Sequence, residues 1–122
     1  MHLSHLGLPV RDERRSQRFY SACFGFDSAA AQEYEDGTVI IRNADGFDLA
    51  LHPVGHVESS PAFLHAGVKA AQTADVRALL ERMEADGVAI AERNDEEAYV
   101  AFQCLDPDGH RIEVYWELPH SQ

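Results

Sequence analysis

His5-Leu6-Gly7-Leu8 and His65-Ala66-Gly67-Val68 share the pattern His-x-Gly-apolar, and the two copies lie about half a chain apart. Each runs into a helix-like stretch, a glycine stop and more strand-like sequence, so one supersecondary unit is used twice. Internal similarity at a long period decides architecture before any local assignment does. Outward from the first copy, residues 3–10 alternate as a strand, with Leu6, Leu8 and Val10 on one face and His5, Gly7 and Pro9 on the other. Asp12 predicts a helix N-cap, and Ser16, Phe19, Tyr20, Cys23 and Phe24 form a buried stripe that ends at Gly25. Strands follow near 26–35, 38–43 and 47–54, separated by turns at Asp36-Gly37 and Asp45-Gly46.

The second copy repeats the plan. Residues 62–69 read as a strand, with Leu64, Ala66 and Val68 on the covered face and Phe63, His65 and Gly67 on the other. Thr73 caps a helix whose stripe is Val76, Leu79, Leu80 and Met83, ended by Gly87. Strands near 88–93, 98–105 and 110–118 complete the half, the last preceded by a Pro107-Asp108-Gly109 turn. The expected fold is therefore α+β: a single domain of two βαβββ modules, about 1–58 and 59–122, with 53–61 as linker. They form a curved mixed sheet around a concave cleft, with the helices on the outer face.

Composition narrows the partners. A 122-residue chain of ordinary apolar content buries a core without staples. No long apolar run or sorting signal appears, so a cytoplasmic protein is expected. Cys23 and Cys104 sit at apolar positions and read as reduced, buried thiols. The net charge of −11 repels phosphate backbones and anionic membrane surfaces, which argues against nucleic acid and membrane as partners. A small-molecule substrate and a homodimer are expected instead, and the cleft is completed either within one chain or across that dimer. The Asp95-Glu96-Glu97 stretch and residues 55–60 read as solvated loops, with lids at the cleft mouth as the alternative.

The open face carries the chemistry. Aligning the last strands of the two halves sets Ala50 against Glu113. Glu113 lies between apolar Ile112 and Val114, and a carboxylate among buried neighbours must be paired or coordinate a cation. His5, His65 and Glu113 all have open-face parity. A lone histidine on a strand is ordinarily a core or surface residue, but two at equivalent places in a repeat, with a carboxylate, point to a metal. Two imidazoles and one carboxylate suit Fe(II) or Mn(II) best, with Ni(II), Co(II) or Zn(II) also served, and leave coordination positions for water and substrate. Ala50, at the fourth place, has no donor atom. His52 shares its parity and is a candidate general base or supporting group. His2, His56, His110 and His120 show no such correlation.

The stretches His5-Leu6-Gly7-Leu8-Pro9-Val10, Arg18-Phe19-Tyr20, Phe24-Gly25-Phe26, Phe63-Leu64-His65 and Asp106 through Trp116 together resemble the vicinal oxygen chelate superfamily over essentially the whole chain. That superfamily includes glyoxalase I, extradiol ring-cleaving dioxygenases, fosfomycin-resistance transferases and bleomycin-binding proteins. The resemblance implies metal ligands at His5, His65 and Glu113. It implies a divalent-metal enzyme acting on a small oxygen-chelating substrate, most like an extradiol-type dioxygenase. A glyoxalase-like lyase or isomerase and a non-catalytic antibiotic-binding or resistance protein are the alternatives. Glyoxalase I has a ligating Glu where this chain has Ala50. Ring-cleaving enzymes place a tyrosine where it has Gln103, and Tyr99, of the same parity, is the other proton-transfer candidate. Arg42, Lys69 and Arg111 have open-face parity, as a phosphonate-binding pocket would need.

Overall fold

The computed structural model describes residues 1–119, so His120 lies outside the described residues. The elements run β1 (His5–Val10), α1 (Glu13–Phe24), β2 (Asp27–Glu33), β3 (Val39–Arg42), β4 (Asp48–Pro53), β5 (Ala66–Lys69), α2 (Thr73–Ala85), β6 (Ile90–Asp95), β7 (Tyr99–Leu105) and β8 (Arg111–Glu117). Contacts divide the chain into two compact units, Met1–Ser59 and Ser60–Gln122. Each is βαβββ and holds one four-stranded mixed sheet, ordered β1-β4-β3-β2 in the first and β5-β8-β7-β6 in the second. The first strand of each unit pairs parallel with the last, and the remaining pairs are antiparallel. The predicted duplication and α+β class are both present.

In the first unit α1 packs on β2 and β4. Asp12 caps it as expected, its Oδ1 accepting the N–H groups of Arg14 and Arg15 at 3.1 and 3.2 Å. Gly25 ends it in the left-handed region at φ 70°. Ser16 and Tyr20 are fully buried beneath it, and Val10, Val39, Ile41, Leu49 and Leu51 fill the sheet side of this core. Tyr20 meets Phe19 edge-on at 5.1 Å and Phe26 at 6.1 Å, closing the helix end over the sheet. In the second unit α2 packs chiefly on β7 and β8, with Val76 and Met83 buried against Val100, Phe102, Cys104, Ile112 and Val114. Each such side chain contributes about 1.5–3 kcal/mol on leaving water. Cys23 is half-buried and Cys104 buried, both as thiols.

Several expectations are corrected. The strand predicted over 62–69 begins only at Ala66, because Phe63 adopts φ 72°, a left-handed value no strand accommodates. His65 therefore stands just ahead of β5 rather than within it. Leu64 and Val68, assigned to the covered face, are exposed, since α2 lies mainly over the two central strands while β5 is an edge. The N-cap of α2 is Gln72, without a side-chain bond, and Thr73 is the first helical residue. Asp95, read as loop, belongs to β6, tied to α2 by a bidentate Arg77 pair at 2.8 and 3.0 Å.

Candidate functional site

In the second unit the parallel pairing of β5 with β8 sets Gly67 opposite Glu113, and the antiparallel β7–β8 register sets Gln103 opposite it on the other side. His65, two residues before Gly67, brings Nε2 to 3.3 Å from Glu113 Oε2, with both side chains part-exposed. Its other nitrogen, Nδ1, lies 2.9 Å from the carbonyl of Phe63. A carbonyl only accepts, so Nδ1 carries the hydrogen and donates it. The left-handed turn at Phe63 is what aims that carbonyl back at the ring.

With Nδ1–H committed, Nε2 is left facing a carboxylate oxygen, an arrangement that takes either a proton or a metal cation between the two atoms. The donor types and their separation fit a cation. Nitrogen and oxygen ligands about 2.0–2.2 Å from one ion stand roughly 2.8–3.6 Å apart, from right-angled to tetrahedral placement. Within either unit, among the described residues, no three His, Cys, Asp or Glu side chains gather into a cation-binding group. The second unit supplies a two-donor pair.

Glu113 lies between buried Ile112 and Val114, as the strand pattern predicted. Its second oxygen, Oε1, accepts a short hydrogen bond from the Tyr99 hydroxyl. Burial, that bond and the charge of Glu113 push the Tyr99 phenol well above its ordinary pKa, so it holds its proton. The ring of Tyr115 lies beside that of Tyr99, centroids 6.5 Å apart. Buried Gln103 accepts from Arg111 Nη1 at 3.3 Å, and Lys69 Nζ stands 3.8 Å from Glu117.

The first unit holds the equivalent frame with different chemistry. His5 opens β1 opposite Asp48, while Ala50, opposite Gly7, is buried and has no donor. Asp48 is engaged by Arg42 through two bonds of 2.7 and 3.1 Å. That guanidinium, with a smaller contribution from His5, holds the Asp48 carboxyl below the usual range. His52 Nδ1 is 2.9 Å from Thr38 Oγ1. It borders an open groove of about 640 Å³ lined also by Tyr34, Glu35, Asp36 and Ile40.

Thus the structure joins His65, Glu113 and Tyr99, seats Gln103 on the adjoining strand, and gives Arg42, Lys69 and Arg111 protein acceptors. Sequence reasoning missed Phe63, whose carbonyl orients His65, and Tyr115, which flanks Tyr99. The repeated glycine was the available signal for the latter. A Cβ on Gly67 would come within 3.2 Å of Tyr115 Cε1, and one on Gly7 within 3.2 Å of His52 Nε2.

A duplicated βαβββ frame with a histidine at or just ahead of its first strand and a carboxylate on its last defines a class of small α+β proteins of two modules. The pattern of the Glyoxalase/Bleomycin resistance protein/Dioxygenase superfamily matches residues 2–114, and the chain belongs to that superfamily. A possible glyoxalase from Bacillus cereus is similar at 27% identity, with 93% of this chain and 97% of that one covered and a TM-score of 0.79. The genomically encoded fosfomycin resistance protein FosX from Listeria monocytogenes shares the fold at 18% identity, covering 97% and 94% with a TM-score of 0.81. Trypanothione-dependent glyoxalase I from Leishmania major does so at 22% identity, covering 93% and 85% with a TM-score of 0.76. No curated protein sequence matches the chain.

Proposed function

We propose that the chain is a divalent-metal-dependent enzyme acting on a small substrate that binds through two of its oxygens, with extradiol-type oxygenative cleavage of a catechol-like compound as its reaction. The observation that carries this reading is the His65–Glu113 pair, with the imidazole Nε2 3.3 Å from a carboxylate oxygen and the far nitrogen tied to a carbonyl. His5 is the third donor by its equivalence to His65 in the repeat. Fe(II) or Mn(II) suits such a set best, and Ni(II), Co(II) or Zn(II) can also occupy it. A FosX structure from Listeria monocytogenes holds Mn(II) and sulfate, which supports the metal class.

A cation held there would supply Lewis acidity toward the two substrate oxygens. The chain's own groups do the rest. Phe63 holds the imidazole in one tautomer, and Tyr99 keeps its proton beside Glu113, acting as a donor rather than a base. His52, at the groove, is the candidate proton acceptor, and Gln103, steadied by Arg111, is a polar wall. Arg42, Lys69 and Arg111 already have partners, which favours a substrate without a phosphonate. The likeness to a possible glyoxalase favours a lyase as second reading, although Ala50 is buried and donor-free where glyoxalase I has a ligand.

The test is metal content after purification without chelator, then anaerobic Fe(II) loading and oxygen uptake with a panel of catechols. Uptake that vanishes in H65A and E113Q supports the reading. Metal binding without uptake moves the lyase ahead. A protein that takes no metal belongs with the antibiotic-binding or resistance proteins. The reading takes the enzyme as a cytoplasmic homodimer, and sedimentation of the purified protein checks the dimer.

A further inference from the structure

We propose that Tyr99, braced by Tyr115, is a positioning residue that fixes how Glu113 presents its carboxylate: Oε1 is occupied by the phenol, and Oε2 alone is turned to His65. A cation at His65 then meets a one-oxygen carboxylate rather than a chelating one. This inference rests on the reading of His65 and Glu113 as metal donors.

The reach of Tyr99 is not the default for its register. Its partner across the ladder is Glu117, whereas Glu113 is paired with Gln103, four residues further along β7. The side chain must therefore lie along the strand, over Ala101, to meet Glu113. Tyr115, opposite Ala101, supplies the wall that holds it there, its ring tilted 32° to that of Tyr99. Tyr115 in turn lies over Gly67, where a Cβ would crowd its ring edge at 3.2 Å. The succession runs from the bare backbone of Gly67 to Tyr115, to Tyr99, to Glu113, to His65.

The first unit shows that the device follows from the repeat. His52 stands two residues after Ala50, as Tyr115 stands two after Glu113, and a Cβ on Gly7 would meet the His52 ring at the same 3.2 Å. The glycine of each His-x-Gly thus makes room for a ring on the neighbouring strand. In the first unit that ring is held by the Thr38 hydroxyl, and no carboxylate stands at Ala50 for a phenol to orient. Only the second unit combines ring, phenol and carboxylate. Groups that orient a metal ligand by hydrogen bonding change affinity by about 10–100-fold when removed.

The experiment loads wild type, Y99F, G67A and E113Q with Co(II) and records both the dissociation constant and the visible absorption band. Y99F keeps the ring and removes only the hydroxyl. The expected result is Co(II) binding weaker by about tenfold, with a fainter visible band as the freed Oε1 enters the coordination shell. G67A, by displacing Tyr115, shifts both readouts in the same direction to a smaller extent, and E113Q abolishes binding. Affinity within about twofold of wild type, with the same band, overturns the proposal while leaving the metal reading in place. Weaker binding with an unaltered band also overturns it, because that is what a purely structural tyrosine gives. A wild-type protein that takes up no Co(II) overturns the metal reading and this inference with it.

Discussion

Replacing Phe63 with glycine should stabilise the protein, although it deletes the largest side chain in its segment. Phe63 has φ 72°, the one non-glycine residue at positive φ among those described, and its side chain is 93% exposed. The left-handed conformation costs an L-residue about 1–2 kcal/mol. Glycine removes that term and introduces about 0.5–1 kcal/mol of extra unfolded-state entropy. Almost no burial is lost, so the sum favours F63G by up to about 1.5 kcal/mol. Leu64 is the control: 60% exposed and without positive φ, it meets the entropic term and loses its part-buried side chain as well, so L64G should lose at least about 0.5–1 kcal/mol. Urea unfolding of the two variants beside wild type measures the gap, with equal slopes required before midpoints are compared. The carbonyl that orients His65 is retained in F63G, so metal affinity should hold. Proline, locked near φ −65°, cannot take the turn, and F63P should lose both stability and metal binding. Should F63G prove as destabilised as L64G, the left-handed turn at Phe63 carries no strain and the reasoning from its φ fails.

Other consequences follow from single contacts. Gln72 caps α2 without a side-chain bond, so Q72D, which supplies an acceptor and a favourable charge at the helix start, should add about 0.5–1 kcal/mol in thermal unfolding. Phe102 is fully buried under α2's sheet, and F102A should lose about 3–5 kcal/mol in the same assay. Asp95 is held below the usual carboxyl range by Arg77, so its folded pKa lies under its unfolded value. The stability it adds is present above about pH 4 and is lost as pH falls through the lower folded value. D95N should therefore flatten the acid limb of a stability–pH curve, and an unchanged limb would contradict the pairing.

The duplicated frame was legible because its signals are local and repeated. Alternation in β1, the Asp12 cap, the Gly25 stop and the Asp-Gly turns at 36–37 and 45–46 each follow from short-range chemistry. Glu113 was legible too, since a carboxylate between Ile112 and Val114 breaks an otherwise apolar pattern. The failures share one cause, dependence on tertiary geometry. The alternation of Leu64, Ala66 and Val68 read as a strand because periodicity is blind to φ, and the left-handed turn at Phe63 interrupts it. Tyr99 had the parity of Gln103 but lies four residues before it on the strand, and register alone does not show a ring lying along its strand to reach Glu113. Arg42, Lys69 and Arg111 faced the expected side, yet parity does not reveal that Asp48, Gln103 and Glu117 stand within reach of them.

The duplication also explains why a histidine meets a carboxylate in one half only of the described structure. Both units offer the same backbone: a histidine ahead of or at the start of the first strand, a glycine two residues on, and a last strand alongside. Position 50 is an alanine with no donor atom, and the ring two residues on, His52, uses the clearance over Gly7 and is tied to Thr38. The nearest acid on that strand, Asp48, is neutralised by Arg42 through both of its oxygens and has little left to give a cation. In the second unit the equivalent clearance is filled by Tyr115, which leaves Glu113 beneath a phenol and beside an imidazole. The repeat thus supplies two frames, and the side chains at positions 50 and 113 decide that only one of them presents a carboxylate to a histidine.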